Sequence, residues 1–432
     1  MYDMQLRIPL GPLPAGYEPY VLTSSQSDKP ISHYIPLPLP TISSALPSHL
    51  FMDTKNCPKT NDDWITRNAP LTYWHVTHFN HPGKEYSCIG ITISHGLLDG
   101  MGLASVIHAL EAETLGKEWD VPPSPHSGLN VNPLQVILDK AIKAEDEKAT
   151  TTTVKRYHGV SVVGIGFILM ITIWHLLQWL WHGSERKMAI LPPKVYEKVV
   201  NDARAAMDKE SGGQSKVRLS TGDVLSAWIF KVCNASVMHV LLNNPISFRQ
   251  LAYSDNTSKS KKVQLSNQAS LRAFFPQDLK NYSHNCFVPI PIPLFTVKDI
   301  QTTPVHRLAH IFATARSSLS ISEAVSIYRD VYQGFKPSRT KMILPYDERS
   351  DENMIMSNMS IARMVDINWT GLGGGKTVCR YKALIGTPVL ASNVVTITGR
   401  LADGSTLLDL VLNREKTRKI EAEIQRILKE VE

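Results

Sequence analysis

The spacing of apolar residues predicts a strand that runs directly into a helix near residue 95 of this 432-residue chain. Ile89, Ile91 and Ile93 share one face of the segment 88–94, which is the period-two pattern of a half-buried strand. Residues 101–110 then repeat apolar positions at helical spacing. We therefore expect the residues between these two segments to form a tight strand-to-helix turn.

Similar patterns predict elements in the second half of the chain. A helix is predicted over 194–207, directly after two prolines, because proline is favoured in the first turn of a helix. Ser220 or Thr221 is suited to cap the helix that follows them. Near the C-terminus, residues 405–412 predict a strand and residues 415–431 an amphipathic helix. Strands and helices are thus mixed along the chain, which predicts an α/β (mixed α+β) fold.

One long apolar segment stands apart from this pattern. Residues 160–181 contain no charged residue and are long enough, as a helix, to cross a hydrocarbon core of about 30 Å. Trp174, Trp179 and Trp181 cluster near the end of this segment, as tryptophans do at a membrane interface. An amphipathic helix predicted over 134–149 precedes it and is suited to lie along a membrane surface. The segment favours membrane contact, and a buried helix of a large domain is the alternative.

The composition excludes several classes of site. A hydrophobic fraction of 43% suits a packed globular protein of two or three domains. The net charge of +7 is spread along the chain, without the basic stripe and interleaved aromatics that nucleic-acid binding requires, so we expect no nucleic-acid partner. The cysteines are odd in number and far apart, which argues against a disulfide framework and a zinc site. We therefore expect no bound metal and a reducing compartment. The proline-rich N-terminus does not resemble a secretory signal.

The turn predicted after residue 93 carries the most suggestive chemistry. It reads SHGLLDG over 94–100, with His95 at the strand end and Asp99 four residues later. Catalytic side chains are often found at such strand ends. Two interpretations are open at this point, because His95 is either a general base or a hydrogen-bonded turn residue.

A second motif, further along the chain, favours the first interpretation. Residues 357–375 read SNMSIARMVDINWTGLGGG, a strand-like approach followed by an aspartate, a tryptophan and a glycine cluster. The order H-x-x-x-D-G and then D-x-x-W-x-G resembles the BAHD family of CoA-dependent acyltransferases, and the fungal branch is most similar. The segments LSTGDVLSAWIFK, NQASLR and YSHNC occur in the same order as in that family. The second motif departs from the usual D-F-G-W-G, since Ile367, Asn368 and Thr370 replace Phe, Gly and Gly.

The resemblance implies a fold of two chloramphenicol-acetyltransferase-like domains with mixed sheets and an active-site channel between them. We expect an N-terminal half over 1–190 and a C-terminal half over 191–432. The apolar segment 160–181 would be an inserted, membrane-associated helix within the first half.

The resemblance also assigns roles to individual residues. His95 would be the general base, and Trp369, whose indole offers an N–H donor, a possible oxyanion donor. Asp99 would have a structural role and pair with an arginine, for which we name Arg272. Structural roles are also expected for Gly100 and Asp366. CoA phosphates would meet a basic loop that contains Lys259, Lys261 and Lys262, although a solvated surface loop is the commoner explanation for such lysines.

The two motifs constrain the topology of the apolar segment. A single spanning helix at 160–181 would place His95 and Trp369 on opposite sides of a bilayer, whereas the family mechanism needs both in one channel. We therefore expect a monotopic or re-entrant anchor, with both halves on the cytosolic side of a membrane such as the endoplasmic reticulum.

The predicted function is acyl-CoA-dependent transfer, with acetyl-CoA as the cosubstrate and no bound cofactor. We expect O-acetylation of a lipophilic secondary metabolite such as a terpenoid, by a monomer and without an acyl-enzyme intermediate. N-acylation is an open alternative. A catalytically silent binding or scaffold protein with the same fold is another, because the second motif is altered.

Overall fold

The computed structural model describes residues 12, 14–67, 69–80, 86–121, 133–147, 159–214, 217–235, 259–274, 280–325, 327, 341–381 and 392–432. The strands are β1 (Tyr20–Gln26), β2 (Ile42–Ser44), β3 (Thr72–Phe79), β4 (Tyr86–Ile93), β5 (Ser161–Gly164), β6 (Glu185–Leu191), β7 (Lys262–Ser266), β8 (Gln268–Ser270), β9 (Phe287–Pro289), β10 (Phe295–Thr296), β11 (Lys341–Leu344), β12 (Glu352–Asn358), β13 (Val394–Arg400) and β14 (Thr406–Leu412). The α-helices are α1 (Asn61–Thr66), α2 (Gly100–Thr114), α3 (Pro133–Asp146), α4 (Ile165–Leu180), α5 (Pro193–Ser211), α6 (Thr221–Cys233), α7 (Val297–Thr302), α8 (Val305–Ser317) and α9 (Arg414–Val431).

A seven-stranded mixed sheet organises most of the C-terminal part of the chain. Its strand order is β10-β7-β12-β13-β14-β6-β2. Strands β7 and β13 run parallel to β12, whereas the other neighbours are antiparallel. The predicted mixed α/β class is therefore confirmed. The boundary expected at residue 190 falls inside β6, which pairs along its length with β14, and the division into two halves stays a prediction.

A smaller mixed sheet carries the strand that leads to His95. Its order is β1-β3-β4, with β1 parallel to β3 and β4 antiparallel to it. Strand β4 forms where predicted, but its fully buried positions are Cys88 and Gly90, whereas Ile89, Ile91 and Ile93 on the other face are half-buried. A Cβ atom on Gly90 would lie 1.6 Å from the carbonyl oxygen of Phe51, so only glycine allows the two backbones to approach. This contact fixes β4 against the preceding part of the chain.

The main hydrophobic core lies between the large sheet and the helices α5, α6, α7, α8 and α9. Ile420, Ile424 and Ile427 of α9 are buried, at the helical spacing that the sequence predicts. Helix α6 begins at a capping box, in which the Ser220 hydroxyl accepts from the Asp223 N–H and the Asp223 carboxylate accepts from the Ser220 N–H. The cap is therefore Ser220, the first of the two predicted candidates.

The predicted apolar helix over 160–181 is shorter than expected. Residues 161–164 form β5, which pairs with β11 and buries Val163, and α4 begins only at Ile165. This pairing engages the backbone groups that a continuous helix would need, so the apolar segment does not form one 22-residue helix. Helix α4 has 16 residues and is about 24 Å long. Within the described ranges, the structure has no helix of the length and apolar character that crossing a membrane demands.

The amphipathic helix α3 also differs from the expectation, because it packs against the protein itself. The sequence predicts a helix that is suited to lie along a membrane surface. Its apolar residues Leu134 and Ile137 instead pack against a core cluster that includes Leu271, Tyr282 and Cys286. Helix α3 therefore covers part of the protein interior, because its apolar stripe finds a matching apolar surface there.

A buried ionic cluster joins β12 to α9. The Glu352 carboxylate accepts hydrogen bonds from the ammonium groups of Lys416 and Lys261 and from the Asn393 side-chain amide. Burial alone would raise the pKa of Glu352, but the charges of the two lysines outweigh it and hold the pKa well below the ordinary range. Glu352 is consequently ionised, and each lysine stabilises a charge that has little access to water.

We predict that Lys416→Met lowers the free energy of unfolding by about 3 kcal/mol, because removing one partner leaves the buried Glu352 charge less compensated. Arg426→Met is the matched control on the same helix. Its ion pairs with Glu423 and Glu430 are half exposed, so we expect a loss under about 1 kcal/mol. Urea unfolding measures the free energy of unfolding of both variants. Equal decreases would contradict the larger contribution that we predict for the buried cluster.

Candidate active site

His95 lies in a tight turn between β4 and α2, as the sequence predicts. Ser94 is buried, its backbone oxygen accepts from the Leu97 N–H at 3.0 Å, and its hydroxyl accepts from the Gly96 N–H at 3.2 Å. The His95 side chain is exposed, and its ring contacts Phe287 edge-on at a centroid distance of 6.4 Å. The turn thus holds its backbone firmly and leaves the imidazole accessible.

Asp99 fixes the far end of this turn. Its carboxylate accepts from the Met101 and Gly102 N–H groups at 3.1 and 2.9 Å, which caps α2. It also accepts two hydrogen bonds of 2.9 Å from the Arg272 guanidinium and one of 3.1 Å from the Cys286 N–H. The side chains of Asp99 and Arg272 are only 7% and 12% exposed. The structure brings together the two residues that the resemblance pairs, in a bidentate arrangement that lysine could not form.

The segment 282–287 encloses the His95 turn from the other side. Arg272 donates to the backbone oxygens of Tyr282 and His284, at 2.7 and 3.0 Å. The Asn285 amide donates to the His95 backbone oxygen at 2.7 Å. A β-bridge joins His284 to Leu98. Residues almost two hundred positions away therefore determine where the His95 backbone lies.

The second motif packs against α2, the helix that follows the His95 turn. Ile367 shares a buried cluster with Ala104 and Ile107, and Trp369 packs against that cluster. The Asn368 N–H donates to the Glu111 carboxylate at 2.8 Å. In the short helix that begins at Trp369, a Cβ on Gly371 would lie 2.4 Å from the backbone oxygen of Thr114. The two motifs that carry the family resemblance thus lie side by side.

Other predicted site residues occupy structural positions. The Trp369 indole N–H donates to the Thr377 hydroxyl at 3.0 Å, so it already has an acceptor. Asp366 forms a surface ion pair of 2.8 Å with Arg363. Gly100 is the first residue of α2 and lies beside the Met359 side chain.

The three lysines expected to meet CoA do not form one basic cluster. Lys261 donates to buried Glu352 at 2.6 Å, so its ammonium group already has an ionic partner. Lys259 and Lys262 are exposed on either side of it, at the start of β7. Residues 254–258 of the predicted basic loop lie outside the described residues.

Two cavities adjoin the second motif. The first, of about 260 Å³, is lined by Tyr196, Thr221, Gly222, Leu225, Ser360, Arg363, Asp366, Ile397, Gly399, Arg400 and Thr406. The second, of about 240 Å³, lies against α2 and shares Arg363 with the first. In the first cavity, the exposed Arg400 guanidinium lies 4.2 Å above the Tyr196 ring. We call this first cavity the arginine cavity.

Sequence reasoning missed several residues that form the site. Asn285, Cys286 and Phe287 contact the His95 turn, although the segment YSHNC was noted only for its order along the chain. Burial raises the pKa of the Cys286 thiol to about 11, so this neighbour of Asp99 is protonated at neutral pH and is not an activated nucleophile. The only sequence signal for these residues was their polar character directly before a short strand.

Comparison with known sequences finds fungal acyltransferases, whereas no family model matches the chain. The chain is 26% identical over 173 residues to the O-acyltransferase pboC of Aspergillus ustus, a match that covers 40% of this chain and 32% of that protein. It is 23% identical over 252 residues to the acetyltransferase adrJ of Penicillium roqueforti, covering 55% of this chain and 47% of that one. The matches therefore span about a third and about half of these two relatives.

Solved structures with the same fold support the comparison. TRI101 of F. sporotrichioides, in complex with coenzyme A and T-2, superimposes with a TM-score of 0.54 at 14% identity, over 93% of this chain and 78% of that one. TRI101 of F. graminearum, in complex with coenzyme A and deoxynivalenol, gives 0.54 at 15% identity, over 93% and 79%. The predicted resemblance is confirmed: the chain has the fold of the BAHD-type acyltransferases and resembles fungal acyltransferases in sequence.

Proposed function

We propose that this protein is an acyl-CoA-dependent acyltransferase in which His95 is the general base. The observation that carries the proposal is the packing of the second motif against the helix that follows the His95 turn. Two motifs separated by more than 260 residues form one surface there, and the resemblance assigns both to the reaction. Fungal acyltransferases among the sequence relatives support the same class of reaction.

The proposed reaction needs no acyl-enzyme. The His95 imidazole accepts the proton of an acceptor hydroxyl while the hydroxyl oxygen attacks the thioester carbonyl of acyl-CoA. The tetrahedral intermediate then collapses, the carbon–sulfur bond breaks, and the protonated His95 returns the proton to the CoA thiolate. The exposed ring of His95 supports this role, as does the protonated state of the nearby Cys286 thiol.

The oxyanion of the tetrahedral intermediate requires a hydrogen-bond donor. Trp369 stays a prediction for this role, because its N–H would first have to leave the Thr377 hydroxyl. We propose that Trp369 mainly shapes the wall of the site against α2, with Asp366 holding its loop through Arg363.

We propose the arginine cavity as the place where the phosphates of CoA bind. Arg363 and Arg400 line it, and guanidinium groups are well suited to bind phosphate. Arg363 also pairs with Asp366 of the same lining, so Arg400 is the main candidate. Thr406 is another lining residue, and its hydroxyl oxygen is buried without a hydrogen-bond partner among the described residues. Of the lysines predicted for this role, Lys261 already pairs with Glu352, which leaves Lys259 and Lys262 as the competing candidates.

The acceptor that we propose is a hydroxyl of a lipophilic secondary metabolite such as a terpenoid, with acetyl-CoA as the donor. We further propose that the protein acts as a monomer, associated with the cytosolic side of a membrane such as the endoplasmic reticulum. N-acylation of an amine would use the same base. A silent scaffold with this fold is the competing function, and the altered second motif with its engaged Trp369 N–H is the observation that favours it.

We predict that His95→Ala lowers the rate of CoA release from acetyl-CoA by a factor of about 10² to 10⁴, because the general base is lost. The assay mixes acetyl-CoA with a panel of terpenoid alcohols and follows free CoA with a thiol reagent. His78→Ala is the control, since this exposed histidine lies on β3.

Metabolite profiling with and without the gene identifies the acceptor as an accumulating alcohol and a missing ester. A wild-type protein that binds CoA but alters no metabolite would favour the scaffold.

We predict that Arg272→Lys lowers kcat more than it changes KM for acetyl-CoA, because the His95 turn loses its bidentate support. Because lysine keeps the charge but loses the paired hydrogen bonds to Asp99, the free energy of unfolding should also fall, by about 2 kcal/mol. Arg307→Lys is the control, because its pair with Glu210 is exposed. Unchanged kcat in a variant with lowered stability would show that Arg272 supports the fold without positioning His95.

We predict that Arg400→Gln raises KM for acetyl-CoA about tenfold and leaves KM for acetyl-pantetheine unchanged, since only the first substrate carries the nucleotide phosphates. Lys259→Gln and Lys262→Gln provide the comparison. If these two variants raise KM for acetyl-CoA and Arg400→Gln does not, the phosphates bind at the start of β7 instead.

A further inference from the structure

Helix α4 exposes an apolar surface along its whole length. Seven large apolar side chains of the helix and the adjacent Trp181 are between 43% and 72% exposed. They are Ile165, Leu169, Met170, Ile173, Leu177, Trp179, Leu180 and Trp181. We call these eight residues the outer face of α4. Ile165, Leu169, Ile173 and Leu177 follow one another at intervals of four residues, so they form a continuous stripe.

The opposite side of α4 is fixed to the body of the protein. The Phe167 ring contacts Tyr346 edge-on at 5.3 Å, and His175 Nδ1 accepts a hydrogen bond of 3.0 Å from the Ser392 N–H. Burial lowers the pKa of His175, which keeps the ring neutral and able to accept that bond. These contacts determine which side of the helix faces outward, so the outer face is a constant feature of the surface.

The chemistry of the outer face suits lipid better than protein. The interval 165–181 contains no charged residue. Thr172, an exposed polar residue among these apolar side chains, donates its hydroxyl to the Ile168 backbone oxygen of its own helix. Protein interfaces ordinarily form about one hydrogen bond for every 100–200 Å² of buried area, and this surface offers few groups to form them. Trp179 and Trp181 are exposed at one end of the helix, as tryptophans are at a lipid headgroup boundary.

Positive charge lies next to the tryptophan end of the helix. The backbone N–H of Arg414 donates to the backbone oxygen of His182, and the Arg414 side chain lies against Gly183. Arg418 follows one turn later on the same side of α9, and both arginines are exposed. An apolar surface bordered by tryptophan and arginine complements a lipid surface with anionic headgroups.

We propose that the outer face of α4 binds the surface of an anionic lipid bilayer, with the helix axis parallel to the membrane plane. The apolar stripe enters the boundary between headgroups and acyl chains, while Arg414 and Arg418 contact anionic headgroups. The helix lies on the membrane and does not cross it, since it is about 24 Å long. This inference rests on the membrane association included in the proposed function, and it names the surface responsible.

Flotation with vesicles of phosphatidylcholine and phosphatidylserine tests the proposal on the full chain. The double substitution Leu169→Glu with Ile173→Glu should weaken vesicle binding about tenfold or more, because two charges replace the centre of the stripe. Leu22→Glu with Ile321→Glu is the matched control, since it places two charges at exposed apolar positions outside α4 and should leave binding unchanged. Circular dichroism confirms that both variants fold.

The lipid composition tests the role of charge. Arg414→Gln with Arg418→Gln should weaken binding to the phosphatidylserine vesicles several-fold and have little effect on pure phosphatidylcholine. Wild-type protein that does not float with either vesicle would overturn the proposal. A wild-type dimer that the Leu169→Glu and Ile173→Glu variant dissociates would overturn it too, and would assign the outer face to a second copy of the chain. Flotation needs no acyl transfer, so its result is independent of whether the proposed enzymatic activity is found.

Discussion

The buried pair of Asp99 and Arg272 is the interaction on which the rest of the site depends. Taking two charges out of water is costly, and a buried pair is stable only when every donor and acceptor is satisfied. Here one carboxylate accepts five hydrogen bonds, from the start of α2, the guanidinium and the segment 282–287. A small displacement of any partner would leave a buried charge uncompensated. The position of the adjacent His95 turn is therefore closely determined.

The site extends from this pair through α2 to the second motif. One end of α2 is capped by Asp99, and its side packs against Ile367 and Trp369. The turn that carries His95 and the turn that carries Trp369 thus both contact helix α2. This arrangement explains why an altered second motif can still form the wall of the site, since Ile367 fills an apolar position where packing matters more than identity. The arginine cavity adjoins the second motif, since Ser360, Arg363 and Asp366 line it.

Much of the fold could be predicted from local patterns. Strand β4, helix α2, the Ser220 cap and helix α9 follow from periodicity and capping, which depend only on neighbouring residues. His95, Asp99 and Arg272 could be named because their motifs resemble a family. Asn285 and Phe287 could not, because a contact between residues 190 positions apart has no local signal. The apolar segment 160–181 was misjudged for a similar reason, since β5 exists only because β11 pairs with it.

The sequence by itself determined the class of fold, the starts of α2, α5, α6 and α9, and the identity of the charged residues beneath the histidine turn. These features depend on the chemical nature of each residue and on its immediate neighbours. The tertiary structure alone decided which polar groups have hydrogen-bond or ionic partners and which surfaces are covered. It paired the Trp369 N–H with Thr377, paired Lys261 with Glu352, and packed one side of α4 against the protein while leaving the other exposed. Hydrogen bonding and burial are properties of distant chain segments brought together, so only the folded chain specifies them.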